Sequence, residues 1–252
     1  MPVRASRQDG THPRPQLLRD EWTDLDGTWQ LAYDDAGTGL DDGWPSLCDL
    51  EDRSVFDRDI TVPRPPESAA SGVGDPSPRT VLWYRRTIRL AEVQGAGAVR
   101  SAGHRVVLRF GAVDYSARVW LDGTLLGTHD GGQTPFSFDV TAALRAGNDE
   151  DEHVLVVRTH DDPRDVTQPR GKQDWQDSPH EIWYHRTSGI WQPVWCEVVP
   201  PVAVEHLSWI PDLPGARVHL GLTLSVAPRE PVTVAVRLEL EGRLLAEHKV
   251  RV

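Results

Sequence analysis

The sequence has little sulfur and no long apolar run. It contains two cysteines and one methionine in 252 residues, and cysteines as distant as Cys48 and Cys196 do not form a disulfide framework. No apolar run approaches the about 20 residues needed to cross a bilayer. The polar N-terminus lacks the apolar stretch of a signal peptide. We therefore expect a reduced, cytoplasmic protein without a membrane partner.

The chain also has fewer basic than acidic residues. Lysine and arginine together number 27 against 38 aspartates and glutamates, which gives a formal net charge of −11. Binding to a phosphate backbone needs a basic face. We therefore expect no nucleic-acid partner.

Common catalytic and ligand-binding motifs are missing as well. There is no G-x-S-x-G, H-E-x-x-H or C-x-x-C motif, which excludes the usual nucleophile elbow and the common zinc sites. Gly171-Lys172 is followed by Gln173 instead of Ser or Thr, so no P-loop forms. For His180 and His185, five apart in a loop, a structural or solvent-facing role is favoured over metal binding. We predict no metal and no cofactor.

Tryptophan, glycine and proline are plentiful, with 10, 21 and 20 residues. A Gly- and Pro-rich stretch from Asp34 to about Pro78 predicts ordered loop, and its acidic residues lack the spacing of a calcium loop. From Val81 onward, short strands alternate with turn residues, as in YSARVWL, and Asp122-Gly123 predicts a two-residue hairpin. No amphipathic helix of more than two turns is expected, and Thr141–Arg145 is a candidate for a short one. The fold class predicted is all-β.

The positions of these loop and turn residues indicate the domain organisation. We expect a flexible arm over residues 1–20, a β-sandwich over 21–200, and a second β-series over 201–252. Four strands make an incomplete sandwich, since immunoglobulin-like domains need about seven. We therefore expect the chain to stop inside its second domain.

Several segments, in order, resemble one family. VPRPPES, LWYRRTI, VVLRFGAVDYSARVWLDGTLLGTHDGGQTPFSFDVT, DDPRDVTQPRGKQDW and IWYHRTSGIWQPVWCEVV are similar to the N-terminal domain of family 2 glycoside hydrolases, which include β-galactosidases and β-glucuronidases. The resemblance implies a galactose-binding-like jelly-roll β-sandwich followed by a partial immunoglobulin-like β-sandwich. It also implies a retaining hydrolase whose two catalytic Glu residues lie on a (β/α)₈ barrel. A barrel alone needs about 250 residues, so no catalytic residue is assigned here and the chain alone is predicted to be inactive.

The resemblance also indicates which residues reach a sugar. Glu181 and Trp183 in EIWYHRTSGI resemble a position that contacts substrate in larger β-galactosidases, with two extra residues before the SGI tripeptide. The loop around QPRGKQDW lies near the barrel mouth in related members. The candidate rim residues are therefore Arg170, Lys172, Gln173, Asp174, Glu181 and Trp183, and an equal alternative is that this loop braces the barrel or a neighbouring subunit.

Three functions stay open at this point. The chain is expected to be the non-catalytic portion of a retaining β-glycosidase, with a β-linked galactoside or glucuronide as substrate and the missing barrel as partner. The alternatives are a stand-alone carbohydrate-binding module and a structural module that forms a homo-oligomer.

Overall fold

The computed structural model describes residues 12–14, 16–176 and 178–252. The chain divides into two compact units between Val199 and Pro200. The strands of unit 1 are β1 (Trp22–Asp24), β2 (Gly27–Tyr33), β3 (Arg58–Val62), β4 (Val81–Ile88), β5 (Arg105–Phe110), β6 (Val113–Asp114), β7 (Ser116–Leu121), β8 (Thr124–Asp130), β9 (Phe136–Asp139), β10 (His153–His160), β11 (Gly189–Ile190) and β12 (Val194–Val199).

Unit 1 is a β-sandwich. One sheet has the order β3-β2-β4-β10-β7-β8, the other has the order β1-β12-β5-β9, and β11 and β6 form a short separate pair. The core contains residues of both larger sheets, such as Trp29 and Val119 from the first and Leu108 and Cys196 from the second. This arrangement confirms the predicted all-β sandwich.

In strand β7, successive side chains alternate between the two faces of the sheet. Ala117, Val119 and Leu121 face the main core, as the alternation in YSARVWL predicts. Trp120 on the opposite face is also buried, at 6% exposure, and stacks on Trp83 at 5.5 Å. Apolar side chains are therefore buried on both faces of this strand.

The second face is covered by the Gly- and Pro-rich loop after β2. Trp44 and Phe56 of this loop join Trp83 and Trp120 in a second apolar cluster. Asp34 opens the loop and is buried, where its carboxylate accepts hydrogen bonds from backbone and indole N–H groups. This acidic loop is therefore tied to the sandwich and not simply solvated.

The hairpin between β7 and β8 turns at the predicted dipeptide. Asp122 and Gly123 have φ of 50° and 73°, as a type I′ turn requires. This hairpin prediction is confirmed. Helices are short, with α1 at Ala96–Ser101 and α2 at Thr141–Leu144.

The predicted N-terminal arm lies largely outside the described residues. Its described part, residues 12–14 and 16–20, contacts the outer face of the four-stranded sheet. There the fully buried Glu197 carboxylate pairs with Arg14, Arg19 and Arg109 at 3.2, 3.5 and 2.8 Å. The Trp195 indole N–H also donates to it at 2.9 Å.

Unit 2 consists of two β-hairpins. Strand β13 (Val204–Asp212) pairs with β14 (Arg217–Leu224), and β15 (Thr233–Leu240) pairs with β16 (Arg243–Arg251). The β15–β16 turn lies at Glu241-Gly242. An open apolar groove of about 1130 Å³ is lined by both hairpins.

None of the helices in the described ranges is both long and apolar enough to cross a membrane.

Candidate functional site

One long loop carries all six residues predicted for the substrate rim. It leaves the sandwich after β10 and returns at β11, and we call residues 161–188 the long loop. Asp161 anchors its start, since the Asp161 N–H donates to Thr80 O at 2.9 Å. The Asp161 carboxylate pairs with Arg186 Nη2 at 2.8 Å. The two ends of the long loop are therefore clamped to each other.

A buried carboxylate holds the middle of the long loop. Gln173 Nε2 donates to Asp114 Oδ2 at 2.8 Å, and Gln173 Oε1 accepts from the Thr187 N–H at 2.8 Å. Asp114, at the end of β6, is 2% exposed. Burial raises the pKa of Asp114 to about 6, and the nearby Asp161 carboxylate adds to this rise. Gln173 therefore connects the sandwich to both halves of the loop.

The return into β11 is fixed by a second carboxylate. Ser188 Oγ donates to Glu67 Oε1 at 2.6 Å, and burial raises the pKa of Glu67. Gly189 follows with φ of 75°, and a Cβ there would overlap the hydroxyl of Tyr84. Only glycine fits this position, because both the backbone angle and the space exclude a side chain.

The outer part of the long loop folds around Asp174. Its buried carboxylate accepts hydrogen bonds from His180 N at 2.7 Å, His180 Nδ1 at 2.6 Å and Gln176 N at 3.0 Å. Burial acts to raise the pKa of Asp174, but the hydrogen bonds from Gln176 and His180 together hold it below its ordinary value. Asp174 therefore ties Gln176 and His180 to each other.

The remaining rim candidates differ in what they contact. The Arg170 guanidinium donates to Pro163 O at 3.1 Å and Asp165 O at 2.8 Å, so it braces the loop from within. Lys172 and Glu181 are exposed, and Glu181 has a left-handed φ of 51°. Trp183 is half-buried. Arg170, Gln173 and Asp174 thus bond within the domain, whereas Lys172, Glu181 and part of Trp183 face outward.

Three exposed apolar residues in the second half of the long loop were not predicted from the sequence. Trp175, Ile182 and Tyr184 are 59%, 66% and 65% exposed. The Trp175 ring meets the rings of Trp183 and His180 edge to face, at centroid distances of 5.1 and 5.3 Å. The available signal was the aromatic density of the segment DWQDSPHEIWY.

A polar cleft of about 450 Å³ lies against the Trp175 side of the loop. Its lining residues are Pro76, Pro78, Thr80, Asp162, Pro163, Arg164, Asp174, Trp175, Gln176, Pro179, His185 and Arg186. Asp174 is the one member of this set that was also a predicted rim residue. The cleft offers hydrogen-bond donors, acceptors and an aromatic surface together.

No group of three or more His, Cys, Asp or Glu residues suited to a metal ion occurs within residues 12–14, 16–176 and 178–252.

Comparison with known proteins gives the family. The model for "Glycosyl hydrolases family 2, sugar binding domain" matches residues 22–200, which is most of the chain. The chain belongs to glycosyl hydrolase family 2. The matched region of this family 2 chain contains the whole sandwich and the long loop, as the resemblance in the sequence predicted.

Curated relatives are much longer than this family 2 chain. It is 27% identical over 153 residues to a β-galactosidase of Thermoanaerobacter pseudethanolicus, covering 60% of this chain and 18% of that protein. It is 23% identical over 254 residues to a β-glucuronidase of Paenibacillus borealis, covering 94% of this chain and 39% of that protein. The chain therefore spans well under half the length of these relatives.

A solved structure shares the fold. The β-glucuronidase of Ruminococcus gnavus superimposes with a TM-score of 0.67 at 19% identity, covering 93% of this chain and 38% of that one. At this identity the likeness establishes the fold alone.

Proposed function

We propose that this chain is the N-terminal, non-catalytic portion of a retaining β-glycosidase of carbohydrate metabolism. The observation that carries the proposal is the sugar-binding-domain match over residues 22–200, in a chain that spans 18% to 39% of the relatives named above. The sandwich would support a catalytic (β/α)₈ barrel outside this chain. A cytoplasmic location is part of the proposal, because Cys48 and Cys196 form no disulfide framework.

The proposed substrate class is a β-galactoside or a β-glucuronide. The names of the relatives, β-galactosidase and β-glucuronidase, support it. Retaining hydrolysis would run by double displacement, in which one carboxylate forms a glycosyl-enzyme and a second acts first as acid and then as base. Both carboxylates would belong to the barrel.

The contribution of this chain would be the rim of the substrate site. Lys172 and Glu181 are candidates because their side chains are exposed, and Trp183 is a candidate through its exposed part. Arg170, Gln173 and Asp174 would hold the loop in place through the bonds they make within the domain. The alternative, that this loop braces the barrel or a neighbouring subunit, stays a prediction.

Hydrolysis of nitrophenyl β-galactoside and nitrophenyl β-glucuronide tests the proposal. The 252-residue chain should give no turnover, whereas a protein that continues the same reading frame through a barrel should hydrolyse one of the two. Turnover by the 252-residue chain that survives repeated purification would contradict the proposed division of labour.

The rim residues are tested in the barrel-containing protein. Lys172→Gln or Glu181→Gln should raise KM by about tenfold, which is the value of one lost charge-assisted hydrogen bond. Glu150→Gln, also an exposed glutamate but outside the long loop, is the matched control. Unchanged kinetics in both rim variants would remove Lys172 and Glu181 from the rim.

A structural role in assembly is the second candidate. Its observation is the apolar groove of unit 2, around which Leu213, Ile210 and Trp209 are 86%, 60% and 46% exposed. Exposed apolar patches of this kind mark association surfaces. We expect homo-oligomers by light scattering, and a strictly monomeric 252-residue chain at high concentration would count against this role.

A further inference from the structure

We infer that the cleft beside Trp175 binds a neutral pyranoside, with the Trp175 indole as the stacking surface for one sugar ring. The inference rests on the proposed function, in that it takes the domain to serve an enzyme of carbohydrates. It adds a binding site made mostly of residues outside the predicted rim.

Size and shape agree with a small sugar. The cleft has a volume of about 450 Å³, within the range of about 300–1,000 Å³ found for ligand sites. Four prolines form much of its wall: Pro76, Pro78, Pro163 and Pro179. Because proline fixes φ, these walls are rigid before any ligand arrives, which lowers the entropic cost of binding.

Trp175 is open yet held in place. It is 59% exposed, although burying such a ring would remove a large apolar area from water. Edge contacts from Trp183 and His180 fix the ring orientation, and His180 is itself held by Asp174. A pre-oriented indole at the mouth of a polar cleft can stack on the C–H face of a pyranose.

The charges of the cleft balance. Among the residues that the structure describes, two basic and two acidic side chains line it: Arg164, Arg186, Asp162 and Asp174. Arg186 is paired with Asp161 at 2.8 Å, and Asp174 with His180 at 2.6 Å. A cleft without net charge favours an uncharged ligand over a carboxylate.

The cleft residues outside these two ion pairs are suited to hydrogen bonding with sugar hydroxyls. In the described part of the chain, the Arg164 guanidinium has no ion-pair partner, and His185 and Gln176 are exposed. Arg164 donates only, whereas the Gln176 amide offers donors and an acceptor, and the His185 ring adds two polar nitrogens. Sugar hydroxyls both donate and accept, so this set can bond adjacent hydroxyls of one ring.

Titration of the 252-residue chain tests the site. We expect methyl β-D-galactopyranoside or lactose to change tryptophan fluorescence and to give calorimetric heat with millimolar affinity, about −4 kcal/mol or somewhat better. Methyl β-D-glucuronide should bind no more tightly than the neutral glycosides. Raising the salt to about 0.5 M should leave the affinity for neutral glycosides unchanged, because no ion pair with the ligand is screened.

Two variants localise the binding. Trp175→Ala should weaken it at least about tenfold, and Arg164→Gln about threefold to tenfold, since a lost stacking contact or hydrogen bond has this value. Leu125→Ala and Arg145→Gln remove an exposed apolar side chain and an exposed guanidinium elsewhere, and neither should change the affinity. Thermal unfolding of each variant verifies the fold, and Trp175→Phe replaces Trp175→Ala if that variant does not fold.

The outcomes separate this inference from the proposed function. Absence of binding by any neutral glycoside, full binding by Trp175→Ala, or a salt-sensitive preference for the glucuronide would overturn the inference. The nitrophenyl assays would still decide the proposed function, because they depend on the barrel. Conversely, binding that depends on Trp175 would stand even if the barrel-containing protein were inactive on both nitrophenyl substrates.

Discussion

The carboxylate of Asp114 offers a sharp test of how the long loop is held. It is 2% exposed, and Gln173 Nε2 donates a hydrogen bond to it at 2.8 Å. We predict that Asp114→Asn stabilises the protein at neutral pH. Asparagine keeps the shape and the acceptor oxygen for Gln173, and it removes a buried negative charge near Asp161.

The magnitude follows from the pKa of Asp114. Burial raises it from 3.8 to about 6, which corresponds to about 3 kcal/mol in favour of the protonated folded state. A raised pKa means that the folded protein binds more protons than the unfolded chain between pH 4 and 6. The stability of the wild type should therefore fall as the pH rises through this window and level off above it. Part of the gain in the variant will be lost, because the new amide N–H₂ group needs acceptors.

Urea unfolding of both proteins between pH 4 and 7.5 measures the effect. The difference in unfolding free energy, variant minus wild type, should rise by about 2–3 kcal/mol between pH 4 and pH 7, since titrations shared by the two proteins cancel. Asp41→Asn, at an exposed aspartate, is the matched control. A difference that stays flat with pH for Asp114→Asn would refute the assigned burial of this carboxylate.

Three further changes test the packing around the site. Gly189→Ala should cost at least about 3 kcal/mol, because the Cβ would meet the Tyr84 hydroxyl at a left-handed φ, and the Tm should fall by about 6–12 °C. Glu197→Ala should cost about 2–3 kcal/mol in chemical unfolding, because it removes the carboxylate that pairs with the partly buried Arg14, Arg19 and Arg109, and Glu197→Gln should cost less. Asp34→Ala should cost about 3 kcal/mol and alter the near-UV circular dichroism of Trp83, because the Asp34 carboxylate accepts from that indole at 3.0 Å. A loss under about 1 kcal/mol in any of the three would contradict its predicted contact.

Much of the fold was predictable because it depends on local chemistry. The alternation in YSARVWL placed Val119 in the core, and the φ preference of Asp122-Gly123 placed a hairpin turn. The Trp120 face was not predictable from the strand itself. What covers it is the loop carrying Trp44 and Phe56, more than sixty residues away.

The candidate site was predictable only in outline. The family resemblance indicated the long loop as the candidate site. It could not show which polar residues hold the loop through hydrogen bonds within the domain and which face outward, because the same residue types do both. Gln173 is a brace because Asp114 lies within hydrogen-bond reach, and Lys172 beside it is open. Trp175 went unnoticed since aromatic residues in a β-protein are usually buried, and exposure is a property of the folded surroundings.

The sequence by itself determined the all-β class, the turn positions and the family, since each depends on short patterns of residue type and their order along the chain. Only the tertiary structure decided which carboxylates are buried, which loop residues hold the loop and which face the cleft. Burial and hydrogen bonding depend on neighbours brought from far along the chain. Asp114 meets Gln173, and Glu67 meets Ser188, only after the sandwich has formed.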